Sequence, residues 1–282
     1  MIRLTNIIVL SLTWLLGACS LNQIDRSGIS PEMDIFYAES FARRSNRELR
    51  EYARNSDNTF TQKVSKCYLG TVTNHDFLKI QKENQNNPSF WLSRAICAQA
   101  QGNHRLANYY YAYSLELSKT SSKVRSIAYN NMGVILLSNH HYPEALEKFY
   151  KSQNYHNSDS ASFNIAVTYL QFGYYEKSKR VLSHLNSKNP NDPEINFTLA
   201  TAFLLSGEDQ KARVHFETID SSLLKRSDIS NFLSLLLFIE KDYEEAFRTL
   251  VSADFTQIPA VRSMSEALRE KIINKKTKEL EN

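Results

Sequence analysis

The stretch NDPEINFTLATAFLLSGEDQKARVHFETID, residues 191–220, reads as two helices joined by a tight turn. Asp192 has the chemistry of an N-cap. Pro193 suits the first helical position, where its missing N–H costs little, and Glu194 puts an acid in the first turn. Gly207 stands where the first helix must end, because only glycine takes positive φ without cost. Ala200 and Ala212 are small, so the two helices can approach closely, and Phe203 and Phe216 fill the space beside them.

The pattern recurs in both directions. The small residue of the second helix appears at Ala107, Ala145, Ser178, Ala212 and Ala246, at steps of 38, 33, 34 and 34. With that residue as position twenty, position eight reads Ala95, Gly133, Ala166, Ala200 and Ser234. Position eleven reads Ala98, Leu136, Tyr169, Phe203 and Leu237. Position twenty-four reads Tyr111, Phe149, Leu182, Phe216 and Leu250, and position twenty-seven Ser114, Ser152, Leu185, Ile219 and Ala253. A fixed period near 34 is the mark of stacked helix-turn-helix units. The five units, 88–121, 126–158, 159–192, 193–226 and 227–260, resemble tetratricopeptide (TPR) repeats. The resemblance implies an all-α, right-handed superhelical array spanning 88–260. Gly102 and Gly173 match Gly207, but His140 stands at that position in the second unit. Residues 122–125 are an insertion, which predicts a longer first inter-unit turn. Pro143 falls at the start of a second helix.

The ends differ in kind. Arg3 precedes an apolar run from Ile7 to Ala18, closed by Leu16-Gly17-Ala18-Cys19. As a helix that run spans about 18 Å, too short for a ~30 Å hydrocarbon core. It resembles a bacterial lipoprotein signal, residues 1–18, cleaved before Cys19. The resemblance implies acylation of Cys19, membrane attachment through several acyl chains and, with Ser20 following, an outer-membrane address facing the periplasm. The alternative is an ordinary secretory signal with an incidental cysteine. Residues 19–31 read as a tether. Residues 32–87 hold an amphipathic helix starting near Ser30-Pro31-Glu32 and two helices of a degenerate repeat. Residues 261–282, with Met264, Leu268, Ile272 and Ile273, suit a capping helix.

Cys67 and Cys97 are the thiols that remain. In an oxidising periplasm they can bridge, because the segment of Cys67 stacks just before the helix of Cys97. Two buried free thiols are the alternative.

Composition excludes several functions. A net charge of +4, with basic and acidic residues interspersed, offers no basic stripe for nucleic acid. The seven histidines show no metal-ligand spacing, and no nucleophile elbow, phosphate loop or dinucleotide motif occurs. No cofactor, no metal and no enzymatic activity are expected. Binding remains. In TPR arrays the first helices line a concave groove. The matching residues here include Asn130, Asn131, Val134, Phe163, Asn164, Val167, Phe197, Thr201 and Phe238. None is basic, so a clamp for an acidic C-terminus is not expected. Amides and apolar faces suit a peptide backbone or an apolar segment. The same side chains packing against neighbouring helices is the alternative.

Among lipidated TPR proteins the chain looks most like the assembly lipoproteins of tight-adherence (Flp) and type IV pili, which implies pilus or secretin components as partners. An adaptor for peptidoglycan-remodelling enzymes is the rival, and an activity hidden in 20–87 a third.

Overall fold

The computed structural model describes residues 46–55, 59–72, 74–118, 120–253 and 262–280, and the described residues hold helices and no β-strand. Three helices come first: α1 (Asn46–Asn55), α2 (Thr59–Tyr68) and α3 (Asn74–Asn84). Five helix pairs follow: α4 (Pro88–Ala100) with α5 (His104–Glu116), α6 (Ser122–Ser138) with α7 (Tyr142–Tyr155), α8 (Asp159–Gln171) with α9 (Tyr175–Lys188), α10 (Pro193–Leu205) with α11 (Asp209–Glu217), and α12 (Ser227–Ile239) with α13 (Tyr243–Val251). The last helix is α14 (Arg262–Leu280). The chain forms two compact units, and the division falls between Thr168 and Tyr169, inside α8. The expected lipoprotein signal ending at Cys19, the expected tether and the expected helix start near Ser30 lie outside the described residues.

Side-chain caps start several of the helices. The Asn87 amide oxygen accepts from the N–H groups of Ser89 (3.0 Å) and Phe90 (3.4 Å), with Pro88 at the first turn of α4. Asp192 does the same for Glu194 (2.9 Å) and Ile195 (3.0 Å) ahead of α10. Each cap satisfies donors that have no partner inside the helix.

Every turn within a pair ends its first helix in the left-handed region. Gly102, Gly173 and Gly207 have φ of 77°, 80° and 81°, and so do two residues with side chains, His140 (62°) and Lys241 (68°). The next N–H then reaches back five residues, as in His141 N to Leu136 O (3.0 Å) and Asp242 N to Leu237 O (2.9 Å). That pattern closes the last turn of the helix and satisfies carbonyls that would otherwise be orphaned.

The four residues 122–125 do not lengthen a turn. They extend α6 backwards by one helical turn, to Ser122, and the Ser121 hydroxyl accepts from Val124 N (3.3 Å). A serine followed by residues that all tolerate helix lets the chain keep winding, so the 38-residue step is taken up as helix.

The repeat residues form the seams. The small side chains of positions eight and twenty and the large ones of position twenty-four are buried throughout. Position eleven is more open: Leu136, Tyr169 and Phe203 are half-buried. The two aromatic ones have cationic company: Lys177 lies 5.4 Å from the Tyr169 ring, and Lys179 and Lys211 each 5.4 Å from Phe203. Capping helix α14 buries Leu268 and Ile272 and leaves Ile273 exposed. It is tied to α12 by Ser265 Oγ donating to Asn231 Oδ1 (2.8 Å).

Candidate functional site

The amides expected at the groove lie on α6 and α8. Asn130 and Asn131 are fully buried and Asn164 nearly so. They join one hydrogen-bonded chain. Asn164 Nδ2 donates to Asn130 Oδ1 (3.1 Å), and Asn130 Nδ2 donates to Asn131 Oδ1 (3.3 Å). Asn131 Nδ2 donates to the Tyr111 hydroxyl (3.0 Å), which donates to Gln99 Oε1 (2.6 Å). Each group donates onward to the next, an arrangement in which hydrogen bonds reinforce one another. The chain links α8, α6, α5 and α4, so three successive pairs share one polar seam.

Around it Val134, Phe163 and Val167 are buried apolar residues. In the other compact unit, Phe197 meets Phe232 edge-on at 5.9 Å and Phe216 at 6.5 Å. The Thr201 hydroxyl turns back to Phe197 O (2.9 Å). Phe238 is half-buried against Tyr243, with ring centres 5.4 Å apart. First-helix positions are therefore engaged mostly inside the protein, and Phe238 is the one with notable exposure.

Cys67 on α2 and Cys97 on α4 are paired as a disulfide, with Cα atoms 5.0 Å apart. That spacing lies within the usual span of a bridge.

Charged groups that periodicity did not single out form a second seam. Arg226 ends one repeat and is buried between Glu194 and Asp228, the second residues of two consecutive repeats. Its Nε donates to Asp228 Oδ1 (2.7 Å), and its Nη1 pairs with Glu194. Both carboxylates hold the guanidinium in its charged form, well above its ordinary pKa, against the opposing pull of burial. The sequence signal was an acid at position two in two units with an arginine at position thirty-four of the first.

Lys179 of α9 pairs with Glu208, the residue just ahead of α11 in the next pair, and Lys211 (2.6 Å) completes the cluster. Hydrogen bonds from Lys179 first, then Lys211 and Ser206, bring the Glu208 carboxyl down to about 2. Arg213 of α11 pairs likewise with Glu240, its Nε donating to Oε1 at 2.9 Å. Among the described residues no group of three or more His, Cys, Asp or Glu is placed to hold a metal ion. Their helices also include none long and apolar enough to cross a membrane.

No protein-family model matches the sequence. None of the curated proteins matches it either. Solved structures do. Pseudomonas aeruginosa pilF aligns with a TM-score of 0.60 at 14% identity, over 82% of this chain and 99% of its own. PilW, described as a widely conserved type IV pilus biogenesis factor, aligns at 0.57 and 18%, over 78% and 96%. A tetratricopeptide repeat protein from Parabacteroides merdae aligns at 0.53 and 15%, over 83% and 93%. The fold is that of a tetratricopeptide repeat array. At these identities the likeness speaks to the TPR fold alone.

Proposed function

We propose that this TPR array is a non-catalytic scaffold that holds other proteins during assembly of an envelope machine, with pilus or secretin components as its partners. In this reading acylated Cys19 anchors it to the bacterial outer membrane, facing the periplasm. The observation that carries the proposal is the structural likeness to PilW, a type IV pilus biogenesis factor, and to pilF, over nearly the full length of both. The lipobox-like Leu16-Gly17-Ala18-Cys19 supports the anchor. The Cys67–Cys97 pair suits an oxidising compartment.

In this reading a partner meets the first-helix face at the positions that reach solvent, of which half-buried Phe238 is one. Asn130, Asn131 and Asn164 are buried and serve by fixing the packing of the helices that carry them.

Affinity purification of the tagged full chain from detergent-solubilised envelopes of its own host tests the proposal. Enriched pilus or secretin subunits support it. Enriched murein hydrolases move the reading to a peptidoglycan adaptor, and recovery without any envelope protein overturns it.

A further inference from the structure

Helices α2 and α3 and the loop between them, ahead of the first full repeat, line a pocket of about 290 Å³. Its apolar wall is Val72, Phe77 and Ile80, and its rim is Lys63 and Lys66 of α2 with Asp76 of α3. Both sides are pinned to α4. The Cys67–Cys97 pair fastens α2. Phe77 meets Phe90 edge-on at 5.7 Å and fastens α3, and Gln101 Nε2 donating to Val72 O (3.2 Å) fastens the loop between. A pocket held from three directions is ready for a ligand without rearrangement.

The rim is unbalanced in charge. Asp76 has Lys79 beside it at 3.6 Å. The Lys63 ammonium lies 5.7 Å over the Phe77 ring, and the exposed Lys66 makes no ion pair among the described residues. Helix α2 has no acidic residue at all. Apolar surface continues outward, with Ile80 and Leu78 both exposed.

We infer that this pocket is a docking site for an acidic polypeptide segment that inserts one aromatic or branched apolar side chain. The volume admits such a side chain with room beside it, since about 150 Å³ already holds a benzene-sized group. Lys63 and Lys66 face flanking carboxylates, and complementary charge of this kind steers encounter and selects partners. The site is separate from the first-helix face, whose groove-matching residues include no lysine or arginine. It accepts the chemistry that the groove does not invite, and it stands whether or not the groove binds.

The test is fluorescence anisotropy of the detergent-purified full chain with a fluorescein-labelled peptide, Glu-Asp-Phe-Leu-Glu-Asp. Two control peptides replace Phe-Leu by Ser-Ser, or all four acids by lysine. The pocket predicts binding at least about tenfold tighter for the acidic apolar peptide than for either control. It predicts a similar loss in the variant Lys63→Glu/Lys66→Glu and in Ile80→Glu, each with an unchanged melting temperature, and weakening by added salt. The groove variant Phe238→Ala leaves binding unaltered. Equal binding of the three peptides overturns the proposal. So does full retention in Lys63→Glu/Lys66→Glu, or loss in Phe238→Ala, which would put the peptide in the groove instead.

Discussion

A Cβ atom placed on Gly133 would sit 2.5 Å from Cε1 of Phe149. Gly133 is position eight of its repeat and Phe149 position twenty-four, so the two register positions touch directly. The Phe149 ring is fully buried and has nowhere to retreat. Other repeats carry alanine or serine at position eight, even opposite Tyr111 and Phe216, so the close approach of ring to backbone belongs to the packing of this one repeat.

Gly133→Ala is therefore expected to destabilise the protein by about 1–3 kcal/mol, the usual cost of overpacking. Urea unfolding measures it. Phe149→Leu in the same chain should recover part of the loss, because the smaller side chain vacates the space.

Two repeats end their first helix on residues that pay a steric cost there. His140 and Lys241 have φ of 62° and 68°, where the other repeats have glycine. His140→Gly and Lys241→Gly are each expected to stabilise by about 0.5–1 kcal/mol, less what glycine adds to the freedom of the unfolded chain. Gly173→Ala, at the equivalent turn, is expected to lose about 1 kcal/mol. Thermal unfolding of the three variants compares them directly.

How much of this was legible beforehand depended on whether one residue or several decided it. Gly207 and Ala212 announce a turn and a seam by their own chemistry, so the pairs from α4 to α13 could be read from residue types. Lys241 could not, since αL is rare for lysine and only the array's period places a turn there. The helical fate of residues 122–125 hung on the Ser121 cap, which competes with a plain loop reading. The amides were read as facing a groove from their register alone. Asn131 donates to Tyr111, which in turn donates to Gln99, both on other helices, and no local pattern connects the three. The Arg226 seam leaves a partial signal, since Asp228 is two residues away, but its pairing with Glu194 spans 32 residues.

Asn131 occupies the middle of that polar chain. Asn131→Ala removes the donor to Tyr111 and the acceptor of Asn130 from the buried chain. A loss of about 1–3 kcal/mol is expected, measured by urea unfolding. Binding experiments with this variant then need the folded fraction measured alongside, because lost stability alone lowers apparent affinity.

Glu208 links stability to pH. Its carboxyl titrates near 2 in the folded protein, against an ordinary 4.5, chiefly through Lys179. A depressed carboxylate stabilises the fold fully above its unfolded value. That contribution shrinks as pH falls below 4.5 and is gone once pH passes below about 2. The urea midpoint of Glu208→Gln should therefore lie below that of the parent at neutral pH, and the two should converge as pH falls towards 2. A gap that stays constant with pH would remove Glu208 from the account.

The scaffold proposal is tested most directly by photo-crosslinking in the native host, with benzoylphenylalanine at single positions. Phe238 reports on the first-helix face, and the exposed second-helix residues Val214 and Val251 report on the opposite helices of their pairs. The account predicts adducts with pilus or secretin subunits from Phe238 and none from Val214 or Val251. Adducts formed only from Val214 or Val251, or no envelope protein captured from any of the three, would contradict it.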